Sequence, residues 1–172
     1  KNLLAFGIYW KNYTDENGIS HRGDIDLAVR FYNEYKEIVG HVYYSNLRAF
    51  DYAVHSGDYT DAPNGATEMV LMDKEAMKDM GIKYAVVEVH GFSVPFNQAE
   101  NLRFIMLEKE GHLKCDKDHN LSDYLHADSK SYSNKSGKVV FLGKPFDPLQ
   151  IEHPIKINAA STYATPCIYD VD

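Results

Sequence analysis

In Gly23-Asp24-Ile25-Asp26-Leu27-Ala28-Val29-Arg30-Phe31 the apolar Ile25, Leu27, Val29 and Phe31 alternate with Asp24, Asp26, Ala28 and Arg30. A period of two predicts a strand buried on one face, with both aspartates together on the other face at its start. Two carboxylates held side by side repel. At a separation of about 4 Å that repulsion is ~4 kcal/mol at an effective dielectric near 20 and ~1 kcal/mol in bulk water. A bound cation removes the penalty, and so does solvation at a strand end.

Outward from this segment, short β-branched and aromatic runs recur along the chain: Leu3 to Trp10, Ile25 to Tyr32, Ile38 to Tyr44, Thr67 to Met72, Tyr84 to His90, Leu102 to Glu108, Val139 to Leu142, Ile155 to Ile157 and Cys167 to Val171. Separated by Gly, Asn, Asp and Pro turns, they predict an all-β sandwich of two mostly antiparallel sheets. A single short helix interrupts them. Asp73 is a good N-cap, Lys74 to Met80 favours helix, and Gly81 supplies a left-handed stop. Met77 and Met80 are expected to face the core. Residues 110–138 are polar, rich in Ser, Asp, Lys and His, and read as a loop insertion in one domain spanning residues 1–172.

A second acidic segment follows a strand-like run: His55-Ser56-Gly57-Asp58-Tyr59-Thr60-Asp61-Ala62-Pro63-Asn64-Gly65-Ala66-Thr67-Glu68. Asp58, Asp61 and Glu68 offer carboxylates, Thr60 and Asn64 neutral oxygens, and Gly57 and Gly65 backbone angles closed to other residues. Such a set suits a hard cation. The same composition also describes an ordinary polar turn, because Asp, Asn, Gly and Pro are turn formers in their own right.

Together these segments resemble the TerD family of tellurium-resistance and stress-response proteins. The resemblance runs through the Asp24-Ile25-Asp26-Leu27 strand start, Val42-Tyr43-Tyr44-Ser45-Asn46-Leu47, the His55 to Glu68 loop, the short helix ending at Met80-Gly81-Ile82, and Tyr84 to Val89. It covers roughly residues 3 to 108, and the Ile155 to Asp170 region is similar to the family's closing strands. It implies a calcium-binding β-sandwich without known enzymatic activity, cytoplasmic, acting with other Ter proteins in chemical-stress or phage-related responses. Many family members carry a denser Asp/Gly loop suited to two calcium ions, whereas this chain reads Ala62 to Glu68 in the second half. Fewer carboxylates imply weaker binding or a single ion.

The expected ligands to one or two calcium ions are therefore Asp24, Asp26, Asp58, Asp61 and Glu68, with Asn64 and backbone oxygens near Gly57, Thr60 and Gly65. Magnesium suits the set less well, since it keeps several waters and demands octahedral geometry. His55 is expected to be structural, bonded to the loop backbone.

Composition narrows the function classes. The 172 residues are 44% hydrophobic and carry a net charge of -7. That balance does not suit capture of nucleic acid phosphates, and the chain has no Lys/Arg run. No apolar run approaches the roughly 20 residues of a membrane span. Cys115 and Cys167 are far apart and form no paired motif, so a disulfide or zinc site is not favoured; His112, Cys115, His119 and His126 share one segment only loosely. No nucleophile elbow, Walker loop or dinucleotide fingerprint is present, and a non-enzymatic protein is expected. The competing expectation is a metal-independent adaptor within a larger assembly. The tyrosines Tyr9, Tyr13, Tyr32, Tyr35, Tyr43 and Tyr44 suit either strand packing or a protein interface.

Overall fold

A computed structural model describes residues 1–113, 139–141 and 144–172. Most of the expected insertion lies outside the described residues, as do Cys115, His119, His126 and Leu142. In chain order the strands are β1 (Leu3–Thr14), β2 (Ser20–His21), β3 (Ile25–Asn33), β4 (Ile38–Val42), β5 (Arg48–Ala49), β6 (Ala53–His55), β7 (Ala66–Asp73), β8 (Ile82–Gly91), β9 (Ala99–Lys109), β10 (Val139–Phe141), β11 (Lys144–Phe146), β12 (Ile155–Lys156) and β13 (Tyr163–Asp170). Helix α1 (Lys74–Asp79) joins β7 to β8, and a 3-10 turn, Phe96–Gln98, precedes β9.

Among the described residues the strands form two principal sheets. The larger runs β12-β9-β1-β7-β6-β5, with β2 paired to the end of β1, and the smaller runs β13-β8-β3-β4; β10 and β11 form a separate hairpin. All pairings are antiparallel. The fold is the all-β sandwich expected from the density of short alternating segments.

The alternation in β3 appears as predicted: Ile25, Leu27, Val29 and Phe31 are buried, and the residues between them are only partly so. Opposite them Leu4, Phe6, Ile8 and Trp10 of β1 and Val70 and Met72 of β7 complete the core, joined by Ala85, Val87 and Val89 of β8. Burying a side chain of this size contributes about 1.5–3 kcal/mol before ordering entropy is subtracted. The central strand β1 is buried on both faces, since Leu3, Ala5 and Tyr9 are covered as well. That is why it reads as a continuous apolar run rather than an alternating one.

The helix has the expected ends. The Asp73 carboxylate accepts from the Ala76 N–H at 3.1 Å, and Gly81 has φ +84°. One expectation needs correction: Met77 is fully buried, but Met80 is 45% exposed. Six helical residues form fewer than two turns, and Met80 caps the helix, where its side chain has already rotated off the buried face. The tyrosines also divide. Tyr9 packs inside, whereas Tyr35 and Tyr44 are exposed.

Candidate metal centre

Three carboxylates converge where β3 begins. One oxygen each from Asp24, Asp26 and Asp58 lies within 4.8 Å of the others. Asp24 is buried, Asp26 half-buried and Asp58 exposed, so the cluster opens outward from a sealed base.

The loop is brought to the strand by side chains that replace a missing strand. β4 pairs only with Val29 to Tyr32 of β3. At Leu27, beyond its reach, the backbone N–H donates to Glu68 Oε2 at 2.9 Å and the carbonyl pairs with His55 Nε2 at 2.9 Å. The other Glu68 oxygen accepts from the Tyr59 N–H at 3.0 Å, so one buried carboxylate ties the residue after Asp58 to the residue after Asp26. His55 Nδ1 accepts from the Gly57 N–H at 3.0 Å. That bond leaves Nε2 as the protonated nitrogen that donates to Leu27, and the ring is neutral. The structural reading of His55 holds.

Asn12 supplies a second clamp. Its Oδ1 accepts from the N–H groups of Gly23 and Ala62, each at 3.0 Å, and its Nδ2 donates to Asp61 at 2.6 Å. Beside it the Trp10 indole donates to the Gly23 carbonyl at 2.8 Å, and Arg22 Nε donates to the Thr60 carbonyl at 2.7 Å. Asp24 is fixed by its backbone, whose N–H donates to Ser93 Oγ and whose carbonyl accepts from Phe92, both at 2.9 Å. The turn also needs its glycines. Gly57 and Gly65 have φ of +110° and +95°, and a Cβ at Gly65 would lie 2.5 Å from the Tyr9 hydroxyl oxygen.

The residues expected as ligands thus separate into groups. Asp24, Asp26 and Asp58 meet. Glu68 lies buried against them with both oxygens engaged by backbone donors. Asp61 is held by Asn12, the Thr60 carbonyl by Arg22, and Asn64 is exposed on the turn. Asn12 escaped the sequence reading because it occupies the next inward position after Leu4, Phe6, Ile8 and Trp10. A polar residue in that series can signal the end of the strand as readily as a buried clamp.

The electrostatics are those of a site short of positive charge. Burial, reinforced by the Asp24 and Asp58 charges, pushes Asp26 up to about 7. Burial and Asp58 also raise Asp24. Glu68 is raised well above the carboxylate range by burial, against the opposing effect of its Tyr59 and Leu27 donors, and the nearby charges of Asp26 and Asp58 add to the rise. Asp24 Oδ1 is buried and receives no hydrogen bond among the described residues. An all-oxygen donor set with an unsatisfied buried carboxylate oxygen fits a hard divalent cation, which would supply the missing charge when bound.

No family profile matches the chain, and no curated protein does. Solved structures do. A homologue of the telluride resistance protein TerD from Streptomyces coelicolor A3(2) superposes with a TM-score of 0.50 at 16% identity, covering 66% of this chain and 68% of that one. A protein described as of unknown function matches with a TM-score of 0.46 at 16% identity, over 67% and 71% of the two chains. Identity this low speaks to the fold alone, and the chain has a TerD-like fold.

Proposed function

We propose that the protein is a calcium-binding, non-enzymatic stress-response module of the TerD type, in which Asp24, Asp26 and Asp58 hold the ion. The observation that carries this reading is the convergence of these three carboxylates, one of which, Asp24, has a buried Oδ1 that receives no hydrogen bond among the described residues. Asp24 contributes a fixed oxygen from the base, Asp26 one from the strand, and Asp58 one from a loop pinned by Glu68 and Asn12. Loss of the proton from Asp26 accompanies binding, so affinity rises as pH passes upward through about 7. With its carboxylates neutralised, the loop from Gly57 to Gly65 offers a fixed surface to a protein partner, in this reading another Ter protein or a larger assembly in the cytoplasm. Among the described residues no helix is long and apolar enough to cross a membrane.

Thermal unfolding in excess EDTA and across a calcium titration, with magnesium as the control, tests the reading. Trp10, the chain's single tryptophan, is bonded to the residue before Asp24 and reports the site by fluorescence. A saturable, calcium-selective rise in stability is expected, about 2.7 kcal/mol at a concentration 100 times the dissociation constant. Equal unfolding curves in calcium and EDTA would refute it.

A further inference from the structure

The chain holds two Asn-Gly pairs, Asn17-Gly18 and Asn64-Gly65, and the fold treats them differently. An asparagine before glycine is chemically reactive, because the glycine amide nitrogen, unshielded by any Cβ, can attack the asparagine Cγ and close a succinimide ring. For that the glycine amide has to leave its hydrogen bond and turn toward the side chain, so in a folded protein the rate follows local opening of the backbone. Both asparagines are exposed. Both glycine amides are tied to the carbonyl three residues back, Gly18 to Asp15 at 3.0 Å and Gly65 to Ala62 at 3.2 Å. What separates the two pairs is the surroundings of each glycine.

Gly18 lies at the tip of the β1–β2 hairpin. It is exposed, with φ +77°, and a Cβ there would meet nothing within 4 Å. Two residue pairs, Tyr13 with His21 and Thr14 with Ser20, hold β2 to β1, and β2 has no other neighbour among the described strands. The remaining bonds of the tip converge on Asp15, whose Oδ1 accepts from the Asn17 and Ile19 N–H groups at 2.9 and 3.0 Å and whose Oδ2 meets His21 Nε2 at 2.8 Å. This tip opens without disturbing the core. Gly65 is enclosed instead. It is buried under Tyr9, and the next residue, Ala66, starts the eight-residue strand β7 opposite Trp10. Ala62, which accepts its amide, is itself buried and clamped by Asn12. Freeing the Gly65 amide therefore means unseating part of the sandwich.

We propose that Asn17 is a site of spontaneous self-modification in the folded protein, while Asn64 is protected by the fold. The Gly18 nitrogen bonds to the Asn17 Cγ as its proton passes to a solvent base, the Cγ–Nδ2 bond breaks, and ammonia leaves. Water then opens the imide at either carbonyl and leaves aspartate or isoaspartate at position 17. The isoaspartate form routes the main chain through one extra carbon and adds a charge beside Asp15 and Glu16, so the bonds centred on Asp15 cannot all re-form and the hairpin tip is released. None of this depends on calcium. Peptide mapping by mass spectrometry tests it, on the full chain aged in EDTA at mildly alkaline pH and, in parallel, in concentrated urea. In urea the two asparagines should convert at similar rates and set the clock. In the folded protein Asn17 should stay within a few-fold of that rate and Asn64 should fall at least about tenfold behind it, equivalent to about 1.4 kcal/mol in the barrier. Asp15→Ala, which removes the acceptor of two tip amides, should speed conversion of Asn17 relative to its own urea reference and leave Asn64 unchanged. An Asn64 that keeps pace with Asn17, or an Asn17 that stays intact while the urea sample converts, would overturn the assignment. Aspartate without isoaspartate at position 17 would also overturn it, because direct hydrolysis bypasses Gly18.

Discussion

Replacing Asp58 by Asn should make the metal-free protein more stable and the calcium-loaded protein less so. Asp58 is exposed, and asparagine preserves its shape, so the change is almost purely one of charge. In the wild type Asp58 takes part in two of the three carboxylate pairs in the cluster, each no more than 4.8 Å apart. At that distance each pair costs ~0.9 kcal/mol in water and ~3.5 kcal/mol at an effective dielectric of 20. Because Asp58 faces solvent, the aqueous limit is the appropriate one, and removing two pairs relieves about 2 kcal/mol. For a chain of this length that corresponds to a midpoint about 4–8 °C higher in EDTA.

Calcium should reverse the order. At 100 times its dissociation constant the wild type gains about 2.7 kcal/mol, whereas the variant, short of one of three ligands, gains little. Thermal unfolding of both proteins in EDTA and in calcium at about pH 8, where Asp26 is ionised, reads all four values. A third arm near pH 5.5 isolates the cause: with Asp26 protonated, one of the two repulsive pairs is already gone, and the advantage of the variant in EDTA should shrink by about half. An Asp58→Asn protein that unfolds earlier than wild type in EDTA, or that keeps the full calcium gain, would refute the electrostatic reasoning.

Other perturbations separate the ligands from their supports. Asp61→Asn should keep the calcium response, because Asp61 lies outside the three-carboxylate group and is held by Asn12; a calcium titration of the single variant decides this. Asn12→Ala leaves the Gly23 and Ala62 N–H groups without their acceptor and should cost about 2–6 kcal/mol in denaturant unfolding, at about 1–3 kcal/mol for each buried group. Glu68→Gln can accept only one of the two backbone bonds and should cost about 1–3 kcal/mol at neutral pH. The folded-state affinity of Glu68 for a proton is raised by burial, so the folded protein binds more protons than the unfolded chain above the ordinary carboxylate range, and stability contributed by this group falls as pH rises. Glu68→Gln should therefore flatten the decline of metal-free stability on the alkaline side, measurable as midpoint against pH. Gly65→Ala meets the Tyr9 hydroxyl and a φ of +95°; a loss of roughly 1–3 kcal/mol is expected from the backbone angle alone.

How much of this could be read from the chain depends on whether an element is specified locally. The alternation of β3 and the cap, body and stop of α1 are local patterns, and both appear where the sequence put them. The two-residue pieces Ser20–His21 and Arg48–Ala49 are too short to show any period, and they exist only because a longer neighbour offers an edge. For the site, the acidic residues on β3 and the loop were visible as composition, but their sorting was not. Whether Asp58 or Asp61 turns toward Asp26 depends on Asn12, more than forty residues upstream of either, taking Asp61 for itself. Glu68 looked like a ligand because it is a carboxylate, while its burial and its two backbone partners arise only when the sheets are stacked.

The position of the candidate centre follows from the shortness of β4. A full-length partner would have satisfied Leu27 with ladder bonds and covered the start of β3. Because β4 pairs only from Val29 onward, the exposed backbone at Leu27 has to be met by side chains, and those side chains come from His55 and Glu68, which flank the acidic loop. The same two bonds that repair the sheet edge therefore draw Asp58 up to Asp26 and Asp24. Bringing the carboxylates together is a consequence of closing the sandwich, and the repulsion among them is the part of that closure that the protein groups leave uncompensated. In the proposed reading a cation completes the fold's electrostatics, so its binding should raise stability.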